Sequence, residues 1–291
     1  MLLRYLPPYP WEKVLRFLSV RAIKGIEAVK NNEYMRAAGI CDPDGNTLFG
    51  WVRVCHSPEK SALRVTVSKS LLSVQRQVLE RIRHLFDLSC DPSIIYDRLQ
   101  AMNSLKPNLC ILGTRVPGCF NGFEMAARAV LGQQISVKAA GTLASRIVDA
   151  YGTPIQTGIE GLTHIFPTPE DIAALNGSIE NSFGELGVIG ARSRTICELA
   201  QAVARKDIDL DPSAQPEEEM SHLMAIRGIG SWTAQYIAMR TMKWQDAFLE
   251  TDAGVKKALQ PYASKELLKM AEAWRPWRSY AVFNLWNSLD A

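Results

Sequence analysis

The apolar positions change their period along the chain. Trp11, Val14, Leu15 and Leu18 recur at i, i+3, i+4 and i+7, which predicts a short helix opened by Pro10 and Trp11. Leu63, Val65 and Val67 alternate with Arg64 and Thr66, the pattern of a half-buried strand over 62–68. Two more extended segments are predicted over 34–41 and 47–55, with the turn sequence DPDGN at 42–46 between them. Leu71, Val74, Val78, Ile82 and Leu85 then share one face of a helix predicted over 70–86. Residues 1–88 are therefore expected to form an α+β unit, an antiparallel sheet with helices. It carries no cluster of chemically reactive side chains and reads as a scaffold.

Strand signals stop at about residue 89. Asp91-Pro92, Lys106-Pro107 and Val116-Pro117-Gly118 separate short helical stretches, and 121–151 predicts two helices joined near Gly132-Gln133-Gln134-Ile135-Ser136. In FPTPEDIAAL (166–175), Thr168 is placed as the N-cap, Pro169 at the first helical position and Asp171 where a capping box needs a carboxylate. A glycine-punctuated turn and an amphipathic helix follow over 185–205, then an acidic loop over 209–220. The fold class expected is an α+β N-terminal domain followed by all-α domains. One helical domain covers 118–244, and 89–117 with 245–291 forms a second helical subdomain.

Composition narrows the setting. A length of 291 residues allows two or three domains, and 47% hydrophobic with 22% charged residues is ordinary for a soluble protein. No apolar run approaches the ~18 residues of a membrane span, and Pro7, Pro8 and Pro10 interrupt the start before a signal-peptide core forms. A cytoplasmic, nucleoid-associated monomer with no membrane contact is expected. Lys and Arg total 33 against 30 Asp and Glu, a net +3, too small for a protein that coats DNA but open to an enzyme with one basic face. The six cysteines have no C-x-x-C spacing and read as free thiols. Five of the seven tryptophans (Trp232, Trp244, Trp274, Trp277, Trp286) fall in the last sixty residues, which suggests a planar ligand or a densely aromatic core.

The most informative segment is 223–240, LMAIRGIGSWTAQYIAMR. Leu223 and Ile226 end one helix, Gly228-Ile229-Gly230 makes a turn whose φ values favour glycine, and Ser231 starts a second helix. Ile229 plugs the gap between the two. The amides around Gly228, Gly230 and Thr233 then face outward at a helix N-terminus, where phosphate binds well. This is a helix-hairpin-helix, which grips DNA backbone without reading sequence; an ordinary helix C-cap turn is the plainer alternative. Downstream, FLETDA (248–253) offers Glu250 and Asp252. Asp252 suits either a helix N-cap or a catalytic carboxylate.

A GIG hairpin followed about twenty residues later by an Asp resembles the helix-hairpin-helix DNA glycosylase superfamily. FEMAARAVLGQQIS (123–136), FPTP (166–169) and WRPWRSYAVFNLW (274–286) narrow the resemblance to bacterial DNA-3-methyladenine glycosylase II, over essentially the whole chain. The resemblance implies helix-hairpin-helix glycosylase domains with the active-site cleft between the two helical parts, and damaged double-stranded DNA as the partner. It implies Asp252 as the catalytic carboxylate and Trp232, Tyr236 and Trp286 as the base pocket. Gly228, Gly230 and Thr233 correspond to the backbone-gripping hairpin. Gln134 falls at the wedge position, where the family often has Leu, and Ile135 is an equal candidate. The backbone carbonyls of Met224, Ile226 and Ile229 correspond to a structural Na+ or K+ site; no cofactor is required. No Cys follows Cys197, so an iron–sulfur cluster is not expected. Trp232 replaces the Lys that forms a Schiff base in bifunctional relatives, which implies a monofunctional hydrolase. The expected activity is excision of 3-methyladenine, 7-methylguanine and similar N-alkylated bases in base excision repair. Alternatives are a glycosylase for deaminated or oxidised bases and a non-catalytic lesion-binding module.

Overall fold

The computed structural model describes residues 1–175 and 177–289. Strands β1 (Leu2–Arg4), β2 (Glu27–Lys30), β3 (Glu33–Cys41), β4 (Thr47–Ser57) and β5 (Ala62–Val67) form an antiparallel sheet in the order β1-β5-β4-β3-β2. The three strands expected over 34–41, 47–55 and 62–68 are its centre. The flanking strands β1 and β2, three and four residues long, are too short to carry a period. The DPDGN turn joins β3 to β4 as expected: Asp42 Oδ1 accepts the amides of Asp44 and Asn46 at 3.0 and 2.8 Å, and Gly45 takes φ +86°.

Helices α1 (Trp11–Arg21) and α2 (Gln75–Leu85) cover one face of this sheet, and every residue of their predicted apolar stripes is buried there. Helix α2 starts later than the periodicity suggests. Residues 69–71 form a 3-10 turn that drops Leu71 against Gly50 of β4, where a Cβ would lie 2.7 Å from the leucine side chain. Leu162 packs against Met35 and Ala37 in a small separate cluster.

The remainder is helical: α3 (Pro92–Leu99), α4 (Gly122–Leu131), α5 (Val137–Tyr151), α6 (Pro169–Ala173), α7 (Ile179–Gly184), α8 (Gly190–Ala204), α9 (Pro216–Ala225), α10 (Ser231–Thr241), α11 (Ala253–Ala258), α12 (Ser264–Ala271) and α13 (Arg278–Asn287). The capping box at Thr168 and Asp171 is formed in full. One departure from an all-helical array is a two-residue ribbon, β6 (Thr153–Pro154) with β7 (His164–Ile165), which packs beside the sheet. Two helical cores result. One is built from α4 to α10, joined by Ile23 and Ile26 of the N-terminal unit; the other combines residues 90–116 with 239–285.

A buried ionic network joins the sheet to the helices. Arg36 of β3 donates to Glu124 of α4 at 2.8 Å, and Arg128 of α4 reaches Glu124 and Glu27, each at 3.2 Å. Tyr34 donates to Glu27 at 2.6 Å. Burial pushes the Glu27 carboxyl up, but Arg128 and Arg36 outweigh it and hold it below its ordinary value.

Two titrating groups sit at a second junction. His84 of α2 donates from Nε2 to the Arg240 carbonyl at 2.9 Å, and burial pushes its pKa down to about 4. Asp87 accepts the Val116 amide at 2.9 Å and the Tyr280 hydroxyl at 3.0 Å, and burial pushes its carboxyl up to about 6. Their linkages oppose each other. The His84 contribution is present above pH 6.5 and lost as pH falls through about 4, because the unfolded chain takes up the proton first. The Asp87 contribution is present below pH 3.8 and lost as pH rises through about 6, because the folded chain takes up the proton first. On going from pH 7 to pH 5, His84→Gln should therefore gain about 2 kcal/mol relative to the parent, and Asp87→Asn should lose about 1 kcal/mol. Urea midpoints at the two pH values check this; parallel shifts in all three proteins would refute it.

Candidate active site

Residues from α1, α4, α5, α10, α11 and α13 surround a cleft of about 1220 Å³. It brings together Asp252, Trp232, Tyr236, Trp286, Gly228, Thr233, Gln134 and Ile135, which are distant in sequence. Gly230, Met224, Ile226 and Ile229 lie outside its lining, as does Glu250.

Asp252 is the N-cap of α11 and also lines the cleft. Its Oδ1 caps α11 by accepting the Val255 amide at 2.9 Å, and the same oxygen accepts the Trp286 indole N–H at 2.8 Å. Oδ2 has no partner among the described residues, so one oxygen is fixed by two donors while the other is available. Gly254 leaves room for this arrangement: a Cβ there would lie 2.8 Å from Trp286 Cδ1 and 3.0 Å from Asp252 Oδ1.

The aromatic residues form a continuous lining. Trp232 and Tyr236, one turn apart on α10, stack with centroids 5.2 Å apart and planes at 16°. Trp286 meets Tyr236 edge-on at 6.3 Å and packs against Phe283 at 5.0 Å. The other three late tryptophans are packing residues: Trp244 lies against both helical cores, Trp274 against Phe248 and Trp277 against Tyr280.

Several site residues were not anticipated. Arg240, a further turn along from Tyr236, donates to its hydroxyl at 2.7 Å and to the Gly118 carbonyl at 3.0 Å. Burial pushes the Tyr236 phenol up, but the guanidinium groups of Arg240, Arg21 and Arg128 outweigh it and bring the phenol below its ordinary value. The 232, 236, 240 spacing was the signal for Arg240. Phe17 and Arg21 come from α1, so the N-terminal unit supplies part of the cleft as well as a scaffold. Nothing in the local pattern of α1 marks them.

The hairpin between α9 and α10 is formed. Gly228 takes φ +98°, and a Cβ there would lie 2.4 Å from Thr195 Oγ1. Gly230 corrects the expectation: its φ of −94° suits any residue, and open space surrounds its absent Cβ. Ile229 is buried between the helices, as expected. The amides of Gly228, Gly230 and Thr233 donate to no acceptor among the described residues, although the Thr233 side chain is buried and bonded to Gln133. The Ile226 carbonyl accepts the Ile229 amide at 3.1 Å and keeps its second lone pair; those of Met224 and Ile229 accept no hydrogen bond among the described residues. Met224 lies in the last turn of α9, and Ile226 and Ile229 lie in the loop that follows.

The α4–α5 junction is tied to this hairpin. Gln133 Nε2 donates to the Gly228 carbonyl at 2.9 Å and to Thr233 Oγ1 at 3.1 Å, while Arg192 donates to the Gln133 carbonyl. Gln134 follows in the left-handed region, φ +55°, with its side chain exposed, and Ile135 is half-buried.

Known proteins match this chain along its length. Residues 1–121 match the AlkA N-terminal domain, and residues 127–275 match the HhH-GPD superfamily base excision DNA repair protein. DNA-3-methyladenine glycosylase 2 of Escherichia coli is 31% identical over 284 residues, covering 98% of this chain and 95% of that protein. A probable bifunctional transcriptional activator/DNA repair enzyme AlkA of Mycobacterium tuberculosis is 35% identical, over 97% of this chain and 55% of that longer protein. Among solved structures, 3-methyladenine DNA-glycosylase from Archaeoglobus fulgidus has the same fold, with a TM-score of 0.78 at 21% identity over 98% of this chain and 97% of that one. The relatives and the two adjoining domain matches agree: this chain belongs to the HhH-GPD superfamily of base excision repair proteins, in its AlkA-type DNA-3-methyladenine glycosylase branch.

Proposed function

We propose that this protein flips N-alkylated bases out of duplex DNA and hydrolyses their N-glycosidic bond, leaving an abasic site. The observation that carries this reading is Asp252, with Oδ1 held by two donors and Oδ2 free in a cleft lined by Trp232, Tyr236 and Trp286. An N-alkylated purine is cationic and already a good leaving group, so the chemistry needs no strong general acid. Electron-rich ring faces attract such a base, by about 0.5–2 kcal/mol per contact. As the bond breaks, positive charge moves to the sugar in an oxocarbenium-like transition state. A preorganised carboxylate stabilises that charge, and Asp252 also orients the attacking water.

The remaining roles follow the geometry. The amides of Gly228, Gly230 and Thr233 hold a backbone phosphate. The open space at Gly230 leaves the DNA backbone free to approach. The carbonyls of Met224, Ile226 and Ile229 would hold the monovalent cation, which supplies positive charge beside that phosphate. Gln134, exposed at the tip of the junction, fills the gap left by the extruded base, with half-buried Ile135 as its base of support. The enzyme is monofunctional. Trp232 occupies the place of a Schiff-base lysine, and Lys13, the lysine that lines the cleft, is solvent-exposed on α1.

A base-release panel tests the substrate class: 3-methyladenine and 7-methylguanine should leave faster than hypoxanthine or 8-oxoguanine, and the reverse order would reject it. Asp252→Asn should lower the single-turnover excision rate about a hundred- to a thousandfold while retaining duplex binding. Trp286→Phe removes the indole donor but keeps a ring, and should cost about tenfold in the same rate. Wild-type rates in Asp252→Asn would remove that residue from the mechanism. Borohydride treatment during turnover should trap no protein–DNA adduct; a trapped adduct would establish lyase chemistry.

A further inference from the structure

Among the described residues, five cationic side chains line the cleft, Lys13, Arg16, Arg21, Arg128 and Arg240, with one carboxylate, Asp252. A chain of net charge +3 therefore concentrates positive charge where DNA would enter. Three of the five are committed. Arg240 bonds the Tyr236 hydroxyl and a backbone carbonyl, Arg128 pairs with Glu27 and Glu124, and Arg21 lies over the Phe17 ring at 3.9 Å. Lys13 and Arg16 are different. Both are exposed, and among the described residues neither has an ion-pair or side-chain hydrogen-bond partner.

Their platform is rigid. They stand three residues apart on α1, whose other face buries Trp11, Val14, Leu15 and Leu18. The helix is held at both ends: the Trp11 indole donates to Asn32 Oδ1 at 3.0 Å, and Arg128 donates to the Arg21 carbonyl. Phe17 and Val20 on the same face also line the cleft, so the two cations flank an apolar entrance. An extruded nucleotide carries its flanking phosphates to the mouth of such a cleft, and unpaired cations there match that anion.

We propose that Lys13 and Arg16 form a second anchor for the backbone of the lesion-bearing strand, supplied by the N-terminal domain and separate from the hairpin. The proposal rests on the DNA-glycosylase reading above. It makes the N-terminal domain part of the DNA-binding surface, with a phosphodiester as its ligand.

The test is binding to a duplex carrying a tetrahydrofuran abasic-site analogue, measured over a series of NaCl concentrations. The proteins are the parent, Lys13→Ala/Arg16→Ala, and Lys60→Ala, whose exposed cation lies outside the cleft. The double variant should bind on the order of tenfold more weakly, and its slope of log K against log salt should shrink by between about 1 and 2, as expected for two lost phosphate contacts. Lys60→Ala should match the parent in every measurement. A parental affinity and slope in the double variant, or an equal change in Lys60→Ala, overturns the proposal. Failure of the parent to bind the duplex overturns both readings. A parent that binds with the expected slope difference but releases no base overturns the glycosylase reading alone.

Discussion

The cleft depends on the buried network of Glu27, Tyr34, Arg36, Glu124 and Arg128. Burying an ion costs several kcal/mol, and mutual attraction returns that only when geometry and hydrogen bonding are good. Here each carboxylate meets two guanidinium groups, and Glu27 also accepts the Tyr34 hydroxyl and the Ile23 amide. Removing one member strands the others, a loss of about 3–5 kcal/mol, whereas apolar replacement of the whole set would be tolerated far better. The network is therefore better understood as fixing orientation than as adding net stability. It sets strands β2 and β3 against helix α4, and through Arg128 it holds the end of α1. That places Phe17, Arg21, Lys13 and Arg16 in the same cleft as Asp252.

This explains why the site was only partly legible in the sequence. The hairpin, Asp252 and the Trp232–Tyr236 pair have local signatures: glycine chemistry in a turn, a cap position, and a four-residue repeat on one helix face. Each could be read within a window of a few residues. Phe17 and Arg21 have none, because on α1 they occupy positions that local periodicity assigns to a solvated face. Only packing of the sheet against α4 turns that face inward. The Trp286 to Asp252 bond spans 34 residues and joins the ends of two separate helices, so no pattern along the chain announces it. Gln133, beside the wedge candidate Gln134, ties the junction to the hairpin through partners about a hundred residues away in sequence, which no local pattern marks.

The fold was legible to a similar depth and for the same reason. Long periodic segments such as the central strands and α1 appear where their patterns place them, and the DPDGN turn and the Thr168 capping box are determined by short-range hydrogen bonds. The edge strands β1 and β2 and the β6–β7 ribbon are held by pairing partners distant in sequence, which is information that no short window contains. Gly230 is a milder case. Glycine there looked like a backbone requirement, yet its conformation is ordinary and the open space around it is what distinguishes the position.

The distribution of charge around the reacting bond gives the geometry a direction. Around Tyr236 lie the guanidinium groups of Arg21, Arg128 and Arg240, and their influence lowers this half-buried phenol against its desolvation. The free oxygen of Asp252 is the cleft's negative charge among the described residues. On the function proposed above, a cationic base stacked on Tyr236 would meet the attraction of the rings and the repulsion of these guanidinium groups together. Breaking the glycosidic bond moves the positive charge off the base and onto the sugar. If the sugar lies beside Asp252, that displacement relieves repulsion at one end and gains attraction at the other, so the arrangement stabilises the transition state more than the bound substrate. Catalysis requires that difference. The same field does less for a neutral base, whose departure needs a proton the cleft has no histidine to supply. On the proposed function, selectivity for alkylated bases would come from the electrostatic gradient along the cleft together with its aromatic lining, and it would depend on the network that holds the arginines in place.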